Sequence, residues 1–322
     1  MRALVTGGLG FVGSYVACSL NQEGYEVHVL DNLFVSSLQR AQDLPGGINV
    51  HVDDIRDEGA MIELIKQIQP DIVVHLAALH YIPYCNVNPL ECYDVNVRGT
   101  TVLLETITKY CDVKRFFLAS SAAVYQPSDT PHREEDPAWP NDVYGFSKRA
   151  AEYYCSNWSS RTGTPVVIGR YFNVFGYGET SPHIIPVLVQ QVLTNGQQIK
   201  VGNISSRRDY IHATDIARIT CELINLAIDG VLLVNIGTGR SYSVDEIIES
   251  LGDLSHQKLE ILQDPKRMRK SDRPNLSADL SRLQSLGITP PRISLTEGLG
   301  ELLARGVGPY LSPKLEKYLG DK

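Results

Sequence analysis

The chain has 322 residues, 43% of them hydrophobic and 21% charged, a formal net charge of −7 and a pI near 5.6. This is the balance of an enzyme-sized globular protein with a sizeable core, in one large domain or two coupled ones. The acidity is spread along the chain rather than gathered in a tail, which argues against a nucleic-acid partner.

In the first half, short β-rich runs alternate with helical patterns. "ALVTGG", "YEVHVLDN", "INVHVDD", "IVVHLAA" and "RFFLASSAAVY" predict strands, and "VGSYVACSLNQEG", "EGAMIELIKQIQ" and "DVNVRGTTVLLETITKY" predict helices. Such βαβ alternation predicts a parallel sheet with helices on both faces. The strand runs lack period-two alternation, as expected of strands buried on both sides. Beyond residue 174 the pattern becomes irregular: "GYGETSPHIIP" reads as a loop and "PVLVQQVLTNG" as a short helix. Two strand-plus-helix returns, "DYIHATDIARITCELINLAI" and "LLVNIGTGRSYSVDEIIESL", are expected to rejoin the sheet or its edge. The fold class is therefore α/β, a Rossmann doubly wound parallel sheet with a smaller, interleaved C-terminal substrate domain. The expected division is 1–174, with a return over about 207–238, for the dinucleotide, and 175–206 with 239–322 for the substrate.

The six cysteines, Cys18, Cys85, Cys92, Cys111, Cys155 and Cys221, form no CxxC pair and no Cys/His ligand spacing. They read as reduced structural thiols, and no metal site is expected. The chain enters a strand almost at its first residue, and no apolar run approaches a membrane span, so the expected location is the cytoplasm.

"LVTGGLGFVGSYVA" places Gly7, Gly10 and Gly13 between the first strand and the first helix. A turn there must bend tightly, let backbone approach a pyrophosphate and let the helix pack close to the sheet. The second strand ends at Asp31, eighteen residues after Gly13 (31 − 13 = 18). A carboxylate there accepts hydrogen bonds from the adenosine ribose and repels a 2′-phosphate, selecting NAD over NADP. Asp54 and Ile55, after the third strand, are placed to border the adenine.

"LASSAAVYQP" ends a later strand, so Ser120 and Ser121 belong at the carboxyl edge of the sheet, where ligands bind. In "VYGFSKRAAEYY", Tyr144 and Lys148 are four apart on a helix and share one face. Ser121, Tyr144 and Lys148 then make a catalytic set. The serine orients a substrate hydroxyl, and a lysine ammonium together with a positive cofactor ring makes the phenolate a usable base.

With these pieces assembled, "TGGLGFVG", "SSAAVY", "YGFSK", "RYFNVFG", "RRDYIHATDIA" and "NIGTGRSYSVDEI" resemble the extended short-chain dehydrogenase/reductases, specifically the nucleotide-sugar epimerases and dehydratases. The resemblance runs over essentially the whole chain. It implies a tightly held, recycled NAD and a sugar nucleotide whose nucleotide end lies in the C-terminal domain. The cofactor-binding set extends to Phe11, Val12, Asn32, Leu76, Ala77, Ala78, His80, Asn96 and Tyr171. By the same resemblance Asn173 and Arg208 reach the diphosphate, Arg269 and Asp272 contact phosphate and ribose, and His183 and Leu276 line the sugar cleft. Arg207 is a bystander.

Similar 4,6-dehydratases carry Thr-Asp-Glu where this chain has Ser121, Ala122 and Ala123, and related uronate decarboxylases carry a glutamate at the position of Ala123. Alanine transfers no proton, and Asp31 argues against the NADP-consuming reductases. C4 epimerisation of a nucleotide sugar remains, through a 4-keto intermediate with Tyr144 as base. The alternative is a dehydratase sharing the first oxidation. Two departures stand out: Gln126 replaces a usual glycine, and His80 replaces a cofactor-binding lysine. Gly176 to Pro186 holds no Lys or Arg to receive a uronate, so a UDP-hexose or UDP-N-acetylhexosamine is expected. The resemblance also implies a homodimer through two long helices, with Val97, Leu104, Tyr153 and Trp158 on their outer faces.

Overall fold

The computed structural model describes residues 1–267, 274–309, 312–316 and 318. In chain order the strands are β1 (Arg2–Thr6), β2 (Glu26–Asp31), β3 (Asn49–Val52), β4 (Ile72–His75), β5 (Arg115–Ser121), β6 (Val166–Tyr171), β7 (Asn173–Phe175), β8 (Gln198–Val201), β9 (Arg207–His212), β10 (Val231–Ile236), β11 (Ser241–Ser243), β12 (Glu260–Gln263) and β13 (Asn275–Leu276). The helices are α1 (Phe11–Gln22), α2 (Leu38–Gln42), α3 (Glu58–Ile68), α4 (Ile82–Val87), α5 (Pro89–Tyr93), α6 (Thr100–Tyr110), α7 (Val143–Thr162), α8 (Ile184–Asn195), α9 (Ala213–Asn225), α10 (Val244–Ser255), α11 (Ser281–Ser285), α12 (Leu295–Arg305) and α13 (Pro313–Glu316).

Seven strands form one parallel sheet in the order β10-β6-β5-β4-β1-β2-β3. Every residue of β4 and of β6 is buried, as expected of strands covered on both faces, the polar His75 and Arg170 included. One apolar core, with Leu64, Leu103 and Trp158, lies under α3, α6 and α7. The other, with Val16, Leu20 and Ile216, lies under α1 and α9. The sheet is therefore covered on both faces, the Rossmann arrangement. Strand order reverses between β1 and β4, which opens a crevice at their carboxyl ends.

Four elements depart from the sequence reading. The strand expected through Tyr125 stops at Ser121, because the Ser121 hydroxyl accepts from Ala123 N at 3.1 Å and caps a short 3₁₀ turn over Ala122–Val124. The helix expected from Asp94 begins as a π-helical turn, Asp94–Gly99. Its Asn96 side chain is tied to Leu79, accepting from the backbone N at 2.7 Å and donating to the carbonyl at 2.8 Å. Such insertions gather at functional sites. α8 starts at Ile184, two residues before Pro186, which the first helical turn tolerates.

The fourth departure concerns the two returns. β10 joins the large sheet beside β6, but β9 does not. It pairs instead with β7, β11 and β13 in a second sheet. Asp209, fully buried in β9, explains the choice. Its carboxylate accepts from Thr238 N at 2.8 Å, Thr238 Oγ1 at 2.6 Å, Gly239 N at 2.8 Å and Ala278 N at 3.2 Å. Those four donors clamp the loop after β10 onto the second sheet. α8, α10 and α12 pack a third core beside it.

Leu104 and Trp158 are 0% and 1% exposed, so neither lies on an outer helical face. Trp158 packs on Phe116 and its indole donates to Thr108 Oγ1 at 2.7 Å, which turns it inward between α6 and α7. Tyr153 is 71% exposed, and Val97 is half-buried.

Candidate active site

A cavity of about 480 Å³ runs along the carboxyl edge of the large sheet and under the second sheet. The glycine turn forms one wall. Gly7 has φ +70°, and a Cβ there would stand 2.8 Å from Ala77 N. A Cβ on Gly13 would stand 2.0 Å from the Gly7 carbonyl oxygen, so neither position admits a side chain without moving backbone. α1 opens at Gly10 with no side-chain cap, leaving its first N–H groups directed at the cleft. Space cleared of side chains before an uncapped helix start fits a dinucleotide pyrophosphate.

Asp31, Asn32 and Ile55 line the same cavity, with Phe11, Val12, Leu76, Ala77, Ala78, His80 and Tyr171. The Asp31 carboxylate also orders the following loop, accepting from Leu33 N at 2.9 Å and Ser36 Oγ at 2.7 Å, and holds Leu9 N at 3.1 Å. Two expected cofactor residues do not line the cleft. Asp54 turns to Arg56 in an ion pair of 2.8 Å and accepts from Asn32 at 2.9 Å, while Asp53 and Arg56 face the cavity in its place. That guanidinium holds the Asp54 carboxyl near 2, well below the usual carboxylate range. Asn96 is 2% exposed and lies behind the wall, bonding Leu79 and Ser147.

Ser121, Tyr144 and Lys148 come together in the cleft from β5 and α7. Lys148 Nζ donates to the Ala119 carbonyl at 2.9 Å, and Tyr144 hydrogen-bonds Ser121. Burial pulls the Lys148 ammonium down to about 8. It pushes the Tyr144 phenol well above its ordinary value, the bond to Ser121 acting in the opposite direction. Desolvation disfavours the charged form of each group, so opposite directions are expected for an acid and an amine.

The position of α7 depends on a group absent from the sequence reading. Glu152 and Arg170, 1% and 2% exposed, pair through two 2.8 Å bonds from Nε and Nη2, and Ser120 Oγ donates to the same carboxylate at 2.5 Å. This bidentate pair ties α7 to β6 and β5, and so fixes where Tyr144 projects. Its only signal in the sequence is a glutamate eight residues after Tyr144.

The far end of the cavity holds Asn173, His183, Arg208 and Leu276. Arg269 and Asp272 lie outside the described residues, but Arg267 of the same basic stretch lines the cavity. Arg207 points away, pairing with Glu246 at 2.9 Å. Gln126 is exposed and does not line the cleft. Ala122 and Ala123 do, each nearly fully buried. His80 is not alone there: the fold brings His80, Glu179 and His183 together, with one ligand-type atom of each within 4.8 Å of the others. Burial, aided by His183, pulls the His80 imidazole down to about 4.

A doubly wound sheet with an acid–base group at its dinucleotide crevice is the framework of a short-chain dehydrogenase/reductase-type enzyme. The sequence pattern of the NAD dependent epimerase/dehydratase family matches residues 3–237. A putative UDP-glucose 4-epimerase of Methanocaldococcus jannaschii is 32% identical over 302 residues, 92% of this chain and 95% of that protein. The crystal structure of a Thermotoga maritima UDP-glucose 4-epimerase with UDP-glucose superposes with a TM-score of 0.86 at 29% identity, covering 94% of this chain and 98% of that one. A Thermus thermophilus UDP-glucose 4-epimerase in complex with NAD gives a TM-score of 0.86 at 28% identity, covering 95% and 99%. The chain belongs to the NAD dependent epimerase/dehydratase family.

Proposed function

We propose that the protein is an NAD-dependent UDP-sugar 4-epimerase acting on a neutral UDP-hexose or UDP-N-acetylhexosamine. One observation carries the reading: Ser121, Tyr144 and Lys148 share the cleft with Ala122 and Ala123, which hold no proton to transfer. When bound, NAD supplies both the two-electron acceptor that takes hydride from C4 and returns it, and a positive ring beside Tyr144. Tyr144 accepts the proton of the 4-hydroxyl, with Ser121 holding that oxygen in line. Lys148, anchored on Ala119, keeps an ammonium near the phenol and would hold the nicotinamide ribose of a bound NAD. The 4-keto sugar then turns about its diphosphate linkage and is reduced on its other face, Tyr144 giving the proton back to O4. Asn173, Arg208 and the 267–272 stretch hold the nucleotide end while the sugar end stays loosely held. The dinucleotide is assigned to 1–174 with a return that begins at α9, and the sugar nucleotide to 175–212 and 239–322.

The test is incubation of the purified protein with UDP-glucose, with NMR of the sugar product. Interconversion of the 4-epimers without change of mass is expected. Loss of water from the sugar identifies the dehydratase instead, and steady accumulation of NADH rules out recycling.

Among the described residues no helix is long and apolar enough to cross a membrane. The working form is assigned as a cytoplasmic homodimer, supported by a run of exposed apolar side chains on neighbouring helices: Val87, Leu90 and Tyr93 on α4 and α5, Phe146 and Tyr153 on α7. Light scattering is expected to give twice the chain mass at micromolar concentration.

A further inference from the structure

We propose that His80, Glu179 and His183 form a binding site for a divalent transition-metal ion of the zinc class, inside the cleft and open toward the sugar. Two imidazoles and a carboxylate are a complete protein donor set for zinc when a fourth position is left to water or substrate. Here the three come from two pieces of chain: His80 from the loop after β4, and Glu179 and His183, four residues apart, from the loop between β7 and α8. All three line the cavity that Ser121 and Tyr144 line.

The ligand-type atoms of the three lie within 4.8 Å of one another, around a shared centre. His183 Nδ1 lies 3.6 Å from Glu179 Oε2, too far for a hydrogen bond. Two ligands on tetrahedral bonds of about 2.0–2.1 Å stand roughly 3.3–3.4 Å apart, so this edge needs little closure. The Glu179 side chain is already oriented. Its Oε1 accepts from Thr180 N and Ser181 N, each at 3.1 Å, which leaves Oε2 to face His183. The His80 ring also bonds the Ala78 backbone, the kind of support that fixes ring orientation in metal sites. Its Nε2 is hydrogen-bonded to Ser181 Oγ at 3.0 Å, a bond that a metal ion would replace, and the His80 and His183 rings meet edge to face at 5.5 Å.

Exposure divides the set in the way an open site requires. Glu179 is 2% exposed, and the His183 side chain is 36% exposed, so the fourth position faces the cleft. Arg40, buried close to Glu179, offsets part of the carboxylate charge. The affinity expected is therefore on the order of micromolar rather than the tighter binding of a structural zinc site.

The experiment is calorimetric titration of zinc chloride into the chelator-treated, NAD-loaded full chain, repeated with cobalt chloride while the visible spectrum is followed. One equivalent is expected to bind, and cobalt is expected to give the intense visible bands of a four-coordinate site. Glu179→Gln and His183→Ala are each expected to weaken zinc by about 1,000-fold, beyond the roughly 10–100-fold that losing a supporting bond costs a metal site. His256→Ala, at the far end of α10, is expected to change nothing. His80→Gln, with folding checked by circular dichroism, serves if either cleft variant fails to fold. Absence of saturable binding overturns the proposal, as does zinc affinity equal in the wild-type and cleft-variant proteins. Because the probe is the metal alone, the result is independent of which sugar the enzyme turns over.

Discussion

The two walls of the cleft are made of different material. The dinucleotide wall is backbone: glycines emptied of side chains, an uncapped helix start, and loop amides ordered by Asp31. The wall that carries chemistry is buried side chains, Tyr144, Lys148 and the Glu152–Arg170 pair, whose charges are held out of water. A backbone wall fails when something is added to it. A side-chain wall fails when something is removed, and its energies depend on protonation.

The largest expected effect tests the second wall. Tyr144→Phe removes the base, and kcat for C4 epimerisation is expected to fall by about 10³ while NAD remains bound. Steady-state kinetics beside the cofactor absorbance checks it, and retained turnover would move the base elsewhere. Glu152→Ala is next. It leaves the Arg170 guanidinium buried without its carboxylate, and urea denaturation is expected to show a loss of about 3–5 kcal/mol.

Gly13→Ala tests the first wall. Its methyl meets the Gly7 carbonyl oxygen, so α1 must lift from the sheet, with an expected cost of about 3 kcal/mol and loss of bound NAD. A variant that kept both stability and cofactor would show the backbone wall to be softer than its spacing implies.

Lys148→Met gives the smallest effect on stability and separates the walls by pH. Lys148 titrates at about 8 in the folded protein, against 10.5 for an ordinary lysine. Between those values the unfolded chain binds more protons, so stability from this group rises with pH; below about 8 the cost of burying the ammonium is present in full. The methionine variant is therefore expected to be inactive yet more stable near neutrality by about 2 kcal/mol. That advantage shrinks as pH rises through the window, which denaturation at neutral and at strongly alkaline pH will reveal.

The contrast also explains what the sequence made legible. Gly7, Gly13 and Asp31 could be read because their task is local: a strand, a turn and a helix within one βαβ unit. Ser121, Tyr144 and Lys148 could be read because two short motifs place them at strand and helix positions that converge at the sheet edge. Glu179 could not, since nothing in "GYGETSPHIIP" shows that its glutamate is buried, or that His80 from the loop after β4 meets it there beside His183. That Asp53 rather than Asp54 lines the cavity was not legible, because two adjacent aspartates follow β3 and the difference lies in the pairing of Asp54 with Arg56. Trp158 and Leu104 were turned the wrong way because α6 and α7 bury apolar residues against each other as well as against the sheet. β9 eluded its sheet because the buried carboxylate that diverts it finds its donors about thirty and seventy residues further on.

The late arrival of β10 has a consequence for anyone cutting the chain. It supplies the last strand of the large sheet from residues 231–236, pairing Val231 with Val166 through Ile236 with Tyr171. A fragment ending at residue 174 would hold the whole glycine turn with Ser121, Tyr144 and Lys148, yet leave β6 as an unpaired and largely apolar edge. Open edges of that kind recruit other chains, so such a fragment is expected to precipitate rather than bind dinucleotide. The part of the protein that looks most like a self-sufficient module is sealed by residues that follow it by more than fifty positions (231 − 174 = 57).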